Sequence, residues 1–136
     1  MRDEDVRSRI FDVALREGRV PQRDEIGCSQ EDLQRLAGNH VLVLDDRGAI
    51  RMAMPFSAVP TPFRVRSGEY SAFGNCIWDA LGILAMKHAD GVVESSCACC
   101  GEAMPVHIRD AELQEHVGIV HFGVPAKHWW DDIVFT

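Results

Sequence analysis

The chain has 136 residues, 46% of them apolar, with 14 Lys and Arg against 21 Asp and Glu. That length fits one domain or two very small ones around a real core, and the net charge of −7 repels nucleic-acid phosphates, so no nucleic-acid partner is expected. No apolar run approaches the ~18 residues of a membrane span, and the acidic start Met1-Arg2-Asp3-Glu4-Asp5-Val6 lacks the apolar stretch of a secretory signal; the expectation is a cytoplasmic protein with no membrane partner, whose five cysteines serve as free thiols, metal ligands or catalytic groups rather than as a disulfide frame.

In chain order, residues 1–17 read as an amphipathic helix, with Val6, Ile10, Val13 and Ala14 at helical spacing, Phe11 and Leu15 beside them, and Gly18 where the helix stops. Arg19-Val20-Pro21 is a turn, and 22–26 a short second helix ending near Gly27. Ser29 caps a third helix that runs through Leu36, with Glu31 and Asp32 in its first turn. The run 41–44, the turn Asp45-Asp46-Arg47-Gly48 and the run 49–54 predict a β-hairpin. Three helices and a hairpin give residues 1–54 a winged-helix-like order. A DNA-binding reading is disfavoured because the third helix carries a single basic residue, Arg35.

Residues 55–62 hold Pro55, Pro60 and Pro62 and predict an extended linker. The remainder, 63–136, reads as an α+β core. It comprises a short strand at 63–66, an irregular approach over 68–75, a helix over 76–87, an antiparallel pair at 91–98 and 103–109, a helical turn at 110–115 and a strand at 117–122. The expected fold class is therefore α+β: a helical head with a hairpin, then a small, mostly antiparallel sheet covered by one helix.

The run Gly74-Asn75-Cys76-Ile77-Trp78-Asp79-Ala80-Leu81-Gly82-Ile83-Leu84 carries the chemistry. Cys76 and Asp79 are three residues apart, about one helical turn, so at a helix start the thiol and the carboxyl share a face. The helix N-terminus offers unsatisfied N–H groups and the positive end of the dipole, which predicts a lowered Cys76 pKa. Such a pair can attack a soft electrophile and protonate what leaves. The plainer alternative is a small buried cysteine beside a first-turn carboxylate.

This run resembles the core of the organomercurial (alkylmercury) lyase family, in which a Cys-x-x-Asp of this kind opens a helix. The resemblance extends to the lead-in at 63–73, to Gly91-Val92-Val93-Glu94-Ser95-Ser96-Cys97, to Ala103-Met104-Pro105-Val106-His107-Ile108 and to His128-Trp129-Trp130-Asp131-Asp132-Ile133-Val134-Phe135-Thr136. In the family a second catalytic cysteine follows closely on that last run. Here the sequence stops at Thr136, so the resemblance implies either a relative shortened at its C-terminus or a truncated product.

The resemblance implies protonolysis of a carbon–mercury bond, with Cys76 as the thiolate that binds mercury and Asp79 as the proton donor, its pKa raised by burial or by the thiolate. It implies no organic cofactor and no resident metal, mercury being part of substrate and product. The partners it implies are a small organomercurial substrate and a thiol acceptor, or a mercuric-reductase-type partner, for the product.

Cys97-Ala98-Cys99-Cys100-Gly101 is a second cluster. Its C-x-x-C-G spacing can present two thiolates to one ion. With Cys28, His107 or a distant histidine as the only further ligands and no second C-x-x-C, a structural zinc ribbon is disfavoured, as is a thioredoxin-type motif. Cys97, Cys99 and Cys100 thus stand as candidate ligands for a soft ion together with Cys76, and one of them as a substitute second thiol should the turn fold over Cys76; a plain reverse turn is the alternative. Trp78 is expected to pack on the sheet, His121 to be a satisfied core histidine, Trp129 and Trp130 to be apolar anchors, Asp131 and Asp132 a solvated turn, and Cys28 to be buried and inert. Two further readings of the whole chain remain at this point: a non-catalytic thiol protein binding mercury, copper or zinc on the same fold, and a winged-helix regulatory module.

Overall fold

A computed structural model describes residues 1–114 and 118–134 of the chain. Helix α1 (Asp3–Glu17) buries Val6, Ile10 and Ala14 on one stripe and ends at Gly18 in the left-handed region. Gly18 is required there: a Cβ would stand 1.8 Å from the carbonyl oxygen of Ser71, so the helix end and a later strand touch backbone to backbone. Helices α2 (Arg23–Ile26) and α3 (Gln30–Gly38) follow as expected. The Ser29 hydroxyl accepts from Asp32 N–H while the Asp32 carboxylate accepts from Ser29 N–H, a reciprocal cap that satisfies two orphan donors. Arg35 is paired with Asp3 at 2.7 Å and Asp32 at 2.9 Å. The one basic side chain of that helix is thus engaged within the fold.

Strands β1 (Val43–Leu44) and β2 (Ile50–Ala53) form the expected hairpin. The 55–62 stretch does more than link. Its Phe56–Ser57 forms β3, which pairs antiparallel with β2 to complete a three-stranded sheet, and Phe56 is almost fully buried. Prolines exclude helix here but leave two buried residues free to pair.

The second sheet is antiparallel in the order β5-β4-β6-β7-β8, from β4 (Arg64–Ser67), β5 (Tyr70–Phe73), β6 (Gly91–Val93), β7 (Val106–Arg109) and β8 (Glu112–Leu113). Helix α4 (Ile77–Lys87) packs Ala80, Ile83 and Leu84 against it. Three local expectations are corrected. Residues 70–73, read as an irregular approach, form β5 in a hairpin with β4. The helical turn read at 110–115 is a two-residue hairpin: Asp110 and Ala111 both have positive φ, 50° and 61°, and Arg109 faces Glu112 (Glu115 lies outside the described residues). The strand read at 117–122 is absent over 118–122, where the chain is irregular and Ile119 is 94% exposed; Val117 lies outside the described residues. Among the described residues that apolar run pairs with neither sheet.

One continuous apolar cluster runs through both sheets and all four helices, from Val6 and Ile10 through Leu36, Ile50 and Phe56 to Val65, Leu84 and Val93. Each such side chain taken from water stabilises by about 1.5–3 kcal/mol. Polar bolts add direction: the Tyr70 hydroxyl donates to Ala14 C=O at 2.7 Å, and Lys87 Nζ donates to Leu15 C=O at 2.7 Å while lying 3.8 Å from the centre of the Tyr70 ring. Among the described residues no helix is long and apolar enough to cross a membrane.

Candidate active site

Gly74 sets the position of α4. A Cβ there would meet Ala80 N at 2.6 Å, so only glycine lets β5 turn this tightly onto the first turn of the helix. The turn is held by the proline-rich stretch: Thr61 Oγ1 donates to Gly74 C=O at 2.6 Å, Asn75 N–H to Pro55 C=O at 3.3 Å, and Asn75 Nδ2 to Phe56 C=O at 3.2 Å. Cys76 is the N-cap of α4, with extended backbone, and its sulfur accepts the Asp79 N–H at 3.4 Å. Asp79 follows one turn on, at N3, on the same face of the helix start.

Both side chains line a cavity of about 310 Å³. Its floor is Asn75, Cys76, Trp78 and Asp79, one wall is Met52 and Met54 from the first sheet with His40 from the end of α3, and its roof is Phe122, Trp129, Trp130, Ile133 and Val134. The roof is an aromatic lattice. Trp130 stacks on His40 at 4.1 Å between ring centres and 5° between planes; Phe122 meets Trp78 edge-on at 6.2 Å and Trp129 at 5.2 Å. Trp129 Nε1 donates to Val124 C=O at 2.7 Å, and the Ala126–Asp131 segment is a 3-10 turn in which His128 Nδ1 contacts Asp131 at 3.0 Å.

The electrostatics correct one expectation. The Cys76 thiol is pushed up, not down, because burial outweighs the N–H groups of Asp79 and Trp78, and the Asp79 charge adds to the rise. Burial likewise pushes the Asp79 carboxyl up, against hydrogen bonds from Asn75 and Cys76 that favour its ionised form. The pair therefore resists carrying two negative charges at once. Asn75 Oδ1 is buried beside them without a hydrogen-bond partner.

Cys97, Cys99 and Cys100 are not brought to this cavity: none of them lines it, so the idea of the turn folding over Cys76 is not realised. They cap the loop between β6 and β7, joined by the isolated Ser96–Ala103 bridge, with Cys99 and Cys100 exposed. Hydrogen bonds from the backbone N–H groups of Cys100 and Cys99 and from the Cys100 thiol hold the Cys97 thiol below its ordinary value. Among the described residues no group of three or more His, Cys, Asp or Glu is arranged to hold a metal.

The remaining candidates divide. Trp78 is 60% exposed at the cavity mouth rather than packed on the sheet, because at the second helical position it projects away from the strands. His121 is exposed in an irregular segment, not a core strand histidine. Cys28 is half-buried, its thiol pushed up by burial. His40, Met52, Met54 and Asn75 were not singled out by sequence. Met52 lies in β2 and Met54 in the turn just after it; His40, in the left-handed region at φ 58°, gave no signal.

The family model described as alkylmercury lyase (MerB) matches residues 56–136. Among solved structures the fold is similar to that described as the mercury-bound form of MerB2, with a TM-score of 0.61 and 21% identity over 82% of this chain and 59% of that one. The chain thus spans about three fifths of that protein's length. No curated protein sequence matches it.

Proposed function

Because the chain belongs to the alkylmercury lyase family, we propose that it cleaves carbon–mercury bonds by protonolysis, with Cys76 as the mercury-binding thiolate and Asp79 as the proton carrier. The observation that supports this most directly is the joint exposure of the Cys76 sulfur and the Asp79 carboxyl to one largely apolar cavity, a space suited to an alkyl or aryl group on mercury.

The raised pKa values give the sequence of events. As R–Hg⁺ approaches, the S–H proton of Cys76 passes to the Asp79 carboxylate and the S–Hg bond forms; metal ligation makes up for the reluctance of the buried thiol to ionise. Asp79, now a neutral acid in an apolar pocket, is a competent donor. It protonates the mercury-bound carbon, the C–Hg electron pair becomes the new C–H bond, R–H leaves and mercury(II) stays on sulfur. A thiol acceptor then carries the ion away. Asn75, at the same helix start, favours the ionised carboxylate of Asp79 against its burial.

A second reading, stoichiometric capture without turnover, draws support from Cys76 being the one cysteine among the described cavity-lining residues. Incubation with a simple arylmercurial and excess thiol separates the two. Hydrocarbon released over many turnovers together with inorganic mercury supports the lyase; mercurial bound one-to-one with no hydrocarbon removes it.

A further inference from the structure

We propose that the Cys97–Gly101 turn is a second, independent soft-metal site, which takes inorganic mercury(II) between the sulfurs of Cys97 and Cys100. The loop is shaped as a metal-binding knuckle. Cys97 N–H donates to Glu102 C=O at 2.8 Å, Gly101 N–H donates to Cys97 C=O at 2.8 Å, and Gly101 closes the turn at φ 74°. The Ser96–Ala103 bridge clamps both ends. Cys97 and Cys100 thus stand three residues apart on one closed turn, the C-x-x-C-G spacing at which such a knuckle presents two thiolates to one ion. Cys99 and Cys100 are exposed, so an ion reaches the turn directly from solvent.

The ligand count selects the ion. A closed zinc site wants four ligands, and among the described residues no third His, Cys, Asp or Glu joins the turn in a metal-holding group. A soft d10 ion that is content with two thiolates in line fits what is there. The exchange balances as two S–H protons released for two S–Hg bonds formed, with no change of oxidation state. The site requires neither Cys76 nor the cleavage reaction, and the two readings stand or fall separately.

The test uses the full chain carrying Cys28→Ser and Cys76→Ser, titrated with mercuric chloride against excess glutathione, with bound mercury counted after gel filtration. The expected result is one ion retained per chain. Adding Cys97→Ser or Cys100→Ser weakens retention at least about a hundredfold, the scale on which joining two binding groups raises affinity, whereas adding Cys99→Ser leaves it in place. In the unsubstituted chain, mercury shields Cys97 and Cys100 from iodoacetamide, a reading that needs no variant to fold. No retained ion, equal retention after Cys97→Ser and Cys100→Ser, a Cys99→Ser loss as large as theirs, or zinc held as tightly as mercury overturns the proposal. Hydrocarbon release by the otherwise unsubstituted Cys100→Ser chain is expected to be unchanged, which separates failure here from failure of the lyase reading.

Discussion

The two cysteine turns of this molecule receive similar help from the backbone and end with opposite acidities. Cys76 caps a helix of eleven residues and accepts its N–H groups, yet burial in an apolar cavity beside Asp79 pushes its thiol up. Cys97 sits in a short surface loop with no helix behind it, and backbone N–H groups together with the Cys100 thiol push its thiol down. The difference teaches that a helix start does not by itself make a reactive thiolate. Desolvation decides, and a buried thiol needs a proton acceptor at hand. Asp79 is placed to be that acceptor.

The sharpest way to break the contrast is to remove each sulfur in turn. Cys76→Ser is expected to lower hydrocarbon release from an arylmercurial below detection, a loss of at least about a thousandfold if it is the covalent anchor, while Cys97→Ser leaves turnover unchanged; gas chromatography of the hydrocarbon reads both. Next, Asp79→Ala is expected to cost about 100- to 10,000-fold in turnover, the range of acid–base assistance, with mercurial binding retained. Simultaneous loss of binding would instead give Asp79 a structural role. Third, iodoacetamide near pH 7 is expected to alkylate Cys97 before Cys76, because thiolate fraction and exposure both favour it; peptide mass spectrometry gives the order, and a faster Cys76 overturns the burial account.

Smaller effects probe the cavity. Trp130→Ala unstacks His40 and opens the roof. It is expected to raise KM by up to about tenfold, matching the ~0.5–1.5 kcal/mol of an aromatic pair, and to change kcat little. Asp79→Asn is expected to stabilise the fold at pH 7. The sign follows from a folded pKa raised above the unfolded one: Asp79 contributes no penalty below its unfolded pKa, and stability is lost as pH rises through its folded pKa. Urea midpoints of the two proteins should therefore differ near pH 7 and converge near pH 3. A difference that persists in acid rejects burial as the cause.

Much of this was legible in the residues. The Ser29 cap, the Gly18 stop and the three-residue step from Cys76 to Asp79 depend on interactions within one turn of chain, and such interactions are written in adjacent letters. The Cys97–Gly101 turn was legible for the same reason. The approach at 68–75 was not, since β5 exists only because β4 and the end of α1 lie beside it. Nor was the run at 118–122, whose apolar residues resemble a strand but join neither sheet.

By itself the sequence determined an α+β chain and placed a thiol and a carboxyl on one face of a helix start, because capping and helical spacing act over a few residues. Tertiary structure alone decided that Pro55, Phe56 and Thr61 brace that helix start, that His40, Met52, Met54 and the Trp129–Trp130 segment enclose it, and that the Cys76 thiol loses acidity to desolvation while the Cys97 thiol gains it from its turn. Desolvation is a property of what surrounds a group from every side, and those surroundings come from residues far apart in the chain.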